Sequence, residues 1–241
     1  PQLGVLLEQA RADGVGTVVT YGEARGVDWQ ILAIETAADK SFATIEHHGE
    51  RHALVLDVPG RHMVANATAA LAVAHLAGID MAVALRALAG FGLQAGRGQR
   101  RLLGPVEKPL LLIDESYNAN TASMRAALEV FGAQRAPEGR KVVVLGDMLE
   151  LGEQGPALHA SLRDAVMESG AERVYLVGPA MAALADALGT DRVIAHVQTA
   201  AEMAPILRND LAYGDAVMVK GSNGVGLSSI VVQIAQQFER T

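Results

Sequence analysis

The sequence contains no cysteine, no excess of basic residues and no apolar run long enough to cross a membrane. Its 241 residues include 20 Lys and Arg against 27 Asp and Glu, which gives a net charge of −7. The absence of cysteine excludes disulfides and cysteine-ligated metal sites, and it fits a cytoplasmic protein. The acidic balance argues against general nucleic-acid binding, which requires a basic surface. No apolar stretch approaches the roughly 20 residues of a transmembrane helix, so no membrane span is predicted.

Two further features are missing at the start of the chain. It begins with Pro1 rather than methionine, and it lacks the basic and then apolar stretches of a signal peptide. We therefore expect a piece of a longer protein or a trimmed chain. Half of the residues are hydrophobic, which supplies a core for one large domain or two ordinary ones.

Phosphate- and metal-binding signatures are also missing. No segment matches G-x-x-x-x-G-K-[ST], the P-loop whose backbone amides bind phosphates, and none of the four lysines follows a glycine. The histidines at 47, 48 and 52 flank a predicted hairpin, where we expect them in solvent. Because they lack the helical spacing of zinc ligands, no metal site is predicted.

The N-terminal part combines helices with partly antiparallel strands. Apolar spacing predicts a helix over 3–12 and two more over 61–76 and 81–88. Strands are predicted at 17–21, 29–35, 41–47 and 51–58, the last two forming a hairpin. Residues 90–98 contain four glycines and are typical of a hinge, so we place a domain boundary after residue 98.

The C-terminal part alternates strands and helices. Strands are predicted at 110–113, 141–145, 173–177, 192–195 and 215–219, and the helices that follow them at 121–134, 156–168, 179–188, 199–208 and 227–238. This alternation predicts βαβ units and a largely parallel sheet. The fold class is therefore α/β: a domain with a mixed sheet over 1–98, and a Rossmann-like domain with a largely parallel sheet over 99–241.

Three polar segments follow predicted strands, at 114–120, 146–155 and 220–226. Carboxyl ends of parallel strands share one edge of a sheet, where ligands bind in open α/β folds, so these segments can build one site. The first reads DESYNAN and is followed by Thr121, which we predict as the N-cap of the next helix. From the residues alone, an Asx-rich turn before a capped helix explains this segment as well as a binding site does.

Three motifs carry a resemblance to a known family: PGRHMVANATAA at 59–70, DESYNAN followed by SMRAAL, and GDMLELG at 146–152. Together they resemble the Mur ligases, which build the peptidoglycan precursor, and among these the member that adds D-alanyl-D-alanine. The family has proline where this chain has Thr121, a helix position at which proline is favourable but dispensable. The resemblance implies that 1–98 is the C-terminal portion of the family's central ATP-binding domain and 99–241 its C-terminal domain. The family's P-loop and metal ligands would lie upstream.

The resemblance also implies residues for binding ATP. Asn66 would hydrogen-bond the adenine, since an amide offers both donor and acceptor; the alternative is a polar residue on an exposed helix face. Arg97 would be catalytic, neutralising charge on the transferred phosphoryl group. Glu115, or its neighbour Asp114, would bind the ribose, and Tyr117 belongs to the same nucleotide-binding set. The adjacent Arg100 and Arg101 are expected to be a solvated surface cluster.

The peptide substrates would contact residues that follow strands: Asn118, Asn120, Asp147, Glu150, Lys220 and Ser222. The acids would orient the ammonium group of D-alanyl-D-alanine, and Lys220 with Ser222 would bind a substrate carboxylate. In the alternative reading, Glu150 only caps the next helix, and His159 only packs against the 146–155 loop. The glycine pattern at 220–226 is weak by itself, and Asn223 stands where relatives often have arginine.

The activity that the resemblance implies is ATP- and Mg-dependent amide-bond formation. D-alanyl-D-alanine would be joined to UDP-MurNAc-tripeptide through an acyl phosphate, from which a closed site excludes water. This chain alone is expected to be inactive, because it has no P-loop, and to be a monomer. Three alternatives stay open: a Mur ligase that adds a different amino acid, a non-catalytic nucleotide- or peptide-binding module, and an interaction domain without a ligand.

Overall fold

The computed structural model describes residues 3–37, 39–91 and 95–239. The chain forms two compact units, Pro1–Gly92 and Leu93–Thr241. Among the described residues, no helix is both long and apolar enough to cross a bilayer. The α/β class predicted from the sequence is confirmed, with one mixed sheet and one largely parallel sheet.

The N-terminal unit contains a four-stranded sheet. Its strands, in spatial order, are β1 (Tyr21–Gly22), β2 (Trp29–Thr36), β3 (Ser41–His47) and β4 (Glu50–Leu56). β1 is parallel to β2, and the other pairs are antiparallel. The predicted hairpin is confirmed, and its turn has positive φ at His48 (51°) and Gly49 (81°), as a two-residue type I′ turn requires. The strand predicted at 17–21 is wrong, because only Tyr21 and Gly22 pair.

The helices of this unit are α1 (Leu3–Ala12), α2 (Arg61–Leu76) and α3 (Met81–Ala89). α2 packs on β2 and β3, and its buried Val64 and Leu71 face a sheet core that includes Ile45. The sequence prediction that the hairpin histidines lie in solvent is wrong for His47. It is buried, stacks on Trp29 with ring centroids 3.9 Å apart, and forms a 2.8 Å hydrogen bond through Nδ1 to a backbone oxygen.

The C-terminal unit contains a six-stranded sheet. In chain order its strands are β5 (Gln99–Leu103), β6 (Leu110–Glu115), β7 (Lys141–Gly146), β8 (Arg173–Val177), β9 (Val193–Val197) and β10 (Ala216–Lys220). Their spatial order is β5-β6-β10-β7-β8-β9. Only β5 is antiparallel to its neighbour. β5 was not predicted, and its Arg100 and Arg101 lie on a strand rather than in a loose surface cluster.

Helices cover both faces of this sheet. They are α4 (Thr121–Gly132), α5 (Gly155–Ala160), α6 (Arg163–Glu168), α7 (Ala182–Leu188), α8 (Ala200–Asp210) and α9 (Ser228–Phe238). Successive residues of β7 enter opposite cores: Val142 and Val144 on one face, Val143 and Leu145 on the other. This two-sided burial explains why the strands read as continuous apolar runs. The helix predicted at 156–168 is two short helices, because Leu162 bonds back to the His159 carbonyl in a tighter turn.

Candidate functional site

The three polar segments meet at one edge of the six-stranded sheet, as the sequence predicted. β10 lies between β6 and β7, and Lys220 is in register with Glu115 on one side and Leu145 on the other. The chains approach closely where the strands end: a Cβ on Gly221 would lie 3.0 Å from the Cα of Gly146. We call this region the strand-end site and define it as residues 96–98, 114–120, 146–150 and 220–222.

Asp114 fixes one side of the strand-end site from within. Its buried carboxylate accepts hydrogen bonds from the Gly96 N–H (2.9 Å), the Ser116 N–H (3.1 Å) and the Ser116 hydroxyl (2.6 Å). These bonds attach the glycine-rich segment to the end of β6. A ribose hydroxyl would have to compete with these donors, so the structure gives Asp114 a supporting role. Its contact with a nucleotide stays a prediction.

Arg97 and Tyr117, both predicted to bind nucleotide, lie in contact. The Arg97 guanidinium is 4.2 Å from the centroid of the Tyr117 ring, in cation–π geometry. Gly96 makes this approach possible: its φ is +75°, and a Cβ there would lie 2.8 Å from the Cβ of Tyr117. Tyr117 remains 51% exposed. The pair therefore presents a cation and an aromatic face to solvent at the sheet edge.

Glu115 and Lys220 form an ion pair across β6 and β10. Lys220 Nζ lies 3.5 Å from Glu115 Oε2 and donates a 3.0 Å hydrogen bond to the Asn118 carbonyl. Burial raises the pKa of the Glu115 carboxyl, although Lys220 opposes this. Burial also lowers the pKa of the Lys220 ammonium, which Glu115 opposes and Arg97 reinforces. Two residues that were assigned to different ligands therefore bind each other.

Asp147 and Ser222 are buried and bonded within the protein. Asp147 accepts hydrogen bonds from the backbone N–H groups of Ala180 (3.2 Å) and Met181 (2.9 Å), where the chain turns into α7. Ser222 accepts from the Leu149 N–H (3.0 Å) and donates to the Ala119 carbonyl (3.4 Å). Ser222 thus joins two of the polar segments. The roles of both residues in substrate binding stay predictions, and these internal bonds compete with them.

His159 supports the 146–155 loop, and the prediction that it packs there is confirmed. Its Nε2 accepts a 2.9 Å hydrogen bond from the Met148 N–H, and its Nδ1 donates to the Gly155 carbonyl at 2.7 Å. A ring nitrogen that accepts carries no proton, so this network fits a neutral ring protonated on Nδ1. The sequence spacing did not indicate that the imidazole is fully buried or that it forms a hydrogen bond with the backbone of the loop.

Glu150 and Asn118 are exposed at the same edge. Glu150 has a left-handed φ of 64°. In the part of the chain that the structure describes, its carboxylate has no hydrogen-bond or ion-pair partner. The alternative that Glu150 caps the next helix is wrong, because neither the 3-10 turn Gly152–Gln154 nor α5 has a side-chain cap. Asn118 Oδ1 accepts from the Ala119 N–H at 2.8 Å. Asn66 is exposed on α2 of the N-terminal unit.

Asn120 is the N-cap of α4, which corrects the prediction of Thr121 at that position. The Asn120 side chain accepts from the Ser123 N–H (2.8 Å), and the Ser123 hydroxyl accepts from the Asn120 N–H (3.0 Å), forming a capping box. The amide oxygen is thus engaged, while the rest of the exposed side chain remains free for a ligand.

Loss of this cap is expected to cost stability. Asn120→Ala should lower the free energy of unfolding by about 1 kcal/mol, because the Ser123 N–H loses its acceptor. Asn120→Asp should retain most of the stability. Urea denaturation followed by circular dichroism measures both, and equal stability of Asn120→Ala and the wild type would contradict the capping role.

Among the described residues there is no group of three or more His, Asp or Glu side chains placed to hold a metal ion. The features that point to a ligand are the Arg97–Tyr117 pair, the Glu115–Lys220 pair and the exposed Glu150, all in the strand-end site.

Comparisons with known proteins show which family this chain is similar to. A family model described as "Mur ligase, glutamate ligase domain" matches residues 96–223. The UDP-N-acetylmuramoyl-tripeptide–D-alanyl-D-alanine ligase of Bacillus subtilis (strain 168) is 28% identical over 221 residues, covering 90% of this chain and 47% of that protein. The enzyme of the same name from Escherichia coli (strain K12) is 33% identical over 184 residues, covering 74% and 38%.

A solved structure is similar over nearly the whole chain. MurF from Acinetobacter baumannii superposes with a TM-score of 0.79 at 26% identity, covering 95% of this chain and 50% of that one. This chain therefore spans about half the length of the relatives that it resembles.

Proposed function

Because the chain belongs to the Mur ligase family, we propose that it is part of an ATP-dependent ligase that joins D-alanyl-D-alanine to UDP-MurNAc-tripeptide. The names of the similar proteins support this substrate pair, as do the motifs DESYNAN and GDMLELG. We further propose that 1–98 belongs to the ATP-binding central domain and 99–241 is the C-terminal domain. The observation that carries the proposal is the meeting of three polar segments at one sheet edge.

The chemistry suits the residues at this edge. A carboxylate is a poor electrophile until it is phosphorylated; ATP supplies the phosphoryl group, and the amine of the dipeptide then displaces phosphate. Arg97 is exposed and carries a full positive charge, so it would neutralise charge on the transferred phosphoryl group. Glu115 would accept hydrogen bonds from ribose hydroxyls, with Tyr117 beside it. In the N-terminal unit, the resemblance assigns Asn66 to adenine binding.

The substrate side would use the neighbouring segments. Lys220 supplies a cation for a carboxylate, and Glu150 supplies a free, exposed carboxylate for the ammonium group of the dipeptide. Asp147, Ser222 and the amides of Asn118 and Asn120 would hold the loops in place and add contacts from their remaining hydrogen-bonding atoms.

This chain by itself is expected not to turn over ATP. Its 241 residues contain no P-loop sequence. In the resemblance, phosphate binding belongs to that loop and magnesium binding to separate metal ligands, both upstream of the matched region. The measurement is phosphate release by the purified chain with ATP, Mg²⁺ and both substrates. Sustained release above a no-enzyme control would contradict this expectation.

Nucleotide binding is expected to depend on Arg97. In titration calorimetry, Arg97→Ala should weaken Mg-ATP binding by about 10-fold or more, since a hydrogen bond to a charged group contributes about 1.5–3 kcal/mol. Arg135→Ala is the matched control, because Arg135 is also exposed but lies beyond α4. Equal ATP affinities of the two variants, or no ATP binding by the wild-type chain, would contradict the nucleotide site proposed here.

A further inference from the structure

The proposed function gives Glu115 to the nucleotide and Lys220 to a substrate carboxylate, yet in the structure they are each other's partners. Glu115 is the last residue of β6 and Lys220 the last of β10, and the two are directly in register. Their charged atoms lie 3.5 Å apart. A side-chain carboxylate therefore already occupies the position where a substrate carboxylate would meet the lysine.

The Lys220 and Glu115 side chains differ in their burial and in their hydrogen bonding. The Lys220 side chain is 3% exposed and is fixed by its 3.0 Å hydrogen bond to the Asn118 carbonyl. Glu115 is 24% exposed. In the described part of the chain its ion pair is with this lysine, at 3.5 Å, which is longer than the roughly 2.7–2.9 Å usual for a charge-assisted hydrogen bond, and Arg100 also acts on its charge. The Glu115 carboxylate is therefore held less firmly than the Lys220 ammonium.

The surroundings favour a replacement anion. Without the Glu115 carboxylate, the Lys220 ammonium would be buried with only a neutral carbonyl as partner, which is costly for a charge. The nearby Arg97 adds a second positive charge that acts on Lys220. A small carboxylate entering from the exposed side of Glu115 would restore the ion pair.

We propose that the Glu115 carboxylate is an internal occupant of a carboxylate-binding subsite at Lys220, which opens to a substrate carboxylate when Glu115 is drawn away. The ligand class is a small carboxylic acid or the carboxylate end of a short peptide. This inference rests on the proposed function for its biological meaning: a ribose that engages Glu115 would free Lys220. Binding of the nucleotide would then raise the affinity for the carboxylate, typically by about 5- to 150-fold, and binding of the carboxylate would raise the affinity for the nucleotide by the same factor.

The test removes the internal occupant. Binding of acetate and of D-alanyl-D-alanine is measured by NMR titration of the wild-type chain, Glu115→Ala, Glu115→Ala/Lys220→Met and the control Glu129→Ala, an exposed acid on α4. Glu115→Ala should bind acetate about fivefold or more tightly than the wild type. Glu129→Ala should match the wild type, and the double variant should lose the gain. Acetate should also raise the melting temperature of Glu115→Ala, relative to chloride at equal ionic strength.

The outcomes separate this inference from the proposed function. Acetate affinity in Glu115→Ala no greater than in the wild type, including no binding by either, overturns the subsite. A gain that persists in the double variant overturns it as well. A gain for acetate but not for D-alanyl-D-alanine supports the subsite and argues against the proposed dipeptide. If ATP binding requires Arg97 but Glu115→Ala shows no increase in acetate affinity, the proposed function is supported and the subsite is overturned. If Glu115→Ala does not fold, Glu115→Gln gives the same comparison.

Discussion

Asp215→Ala is expected to lower the free energy of unfolding by about 3 kcal/mol, the lower end of the range for breaking a buried ion pair. Asp215 is 1% exposed and precedes β10. Its Oδ1 accepts from the Arg140 N–H (2.9 Å) and Nε (3.2 Å), and its Oδ2 from Arg140 Nη2 (2.7 Å) and the Ala212 N–H (3.1 Å). The variant removes this acceptor from the Arg140 N–H, Arg140 Nε and the Ala212 N–H, whereas Arg140 Nη2 keeps the Asp210 carbonyl. The lower end applies because the Arg140 side chain keeps 28% of its surface exposed.

Chemical denaturation of Asp215→Ala and of the control Asp191→Ala measures this loss. Asp191 is exposed and has no ion-pair partner in the described part of the chain, so its variant should differ from the wild type by less than about 0.5 kcal/mol. A similarly small change for Asp215→Ala would show that the Arg140–Asp215 pair does not stabilise the fold.

The same pair predicts acid sensitivity. Burial by itself raises the pKa of the Asp215 carboxyl, but hydrogen bonds from Arg140 and Ala212 outweigh it and hold the pKa below its ordinary value. A lowered folded-state pKa stabilises the protein at pH values above the unfolded pKa of about 3.9. That contribution is lost as the pH falls from there through the folded value. Asp215→Asn should therefore lose less stability than the wild type over this range.

Gly178→Ala is expected to destabilise the C-terminal unit by about 3 kcal/mol. Gly178 has φ +110°, and a Cβ there would lie 2.4 Å from the Asp147 carboxylate. The left-handed backbone alone costs about 1–3 kcal/mol for alanine. A displaced Asp147 would also leave the Ala180 and Met181 N–H groups without their acceptor, at about 1–3 kcal/mol for each unsatisfied group. Gly189→Ala is the control, since its φ is +79° but nothing lies within 4 Å of an added Cβ.

A double-mutant cycle separates strain from the clash. If the clash with Asp147 carries much of the cost, Gly178→Ala should cost less in an Asp147→Ala background, and the two effects should not add. Additive effects would mean that glycine is required at position 178 only for its backbone conformation and not to avoid a clash with Asp147. The same Asp147→Ala variant tests the ligand role, because a purely structural Asp147 changes stability without changing dipeptide affinity in the folded protein.

Much of the fold was readable from local patterns. Strands buried on both faces, such as Val142–Leu145, are continuous apolar runs, and the predicted β3 (41–47), α2 and β8 have the observed bounds. The strand β5 was missed because Gln99, Arg100 and Arg101 carry no apolar alternation. It is a strand only because β6 offers an unpaired edge. The N-cap was misplaced by one residue, since Asn120 and Thr121 are both good caps and only the backbone decides between them.

The candidate site was predicted in part. The sequence indicated the three polar segments, and parallel-sheet geometry indicated that they share an edge. It did not indicate which carboxylates are engaged internally. Asp114 and Asp147 look like ligands in sequence, yet both accept backbone N–H donors from segments that are adjacent only in space. The packing of His159 against the loop was predicted, but its hydrogen bond with Met148 was not, because the path of the loop defines that partner.

The sequence by itself determined the α/β class, the family resemblance and the polar character of each strand end, because these depend on residue type and spacing along the chain. Only the tertiary structure decided the pairing of Glu115 with Lys220 and the contact of Arg97 with Tyr117. For the ion pair the reason is the strand order: β10, the last strand in sequence, inserts between β6 and β7 and places Lys220 opposite Glu115. For the second contact the reason is the close approach of Gly96 to Tyr117, two residues that are distant in the chain.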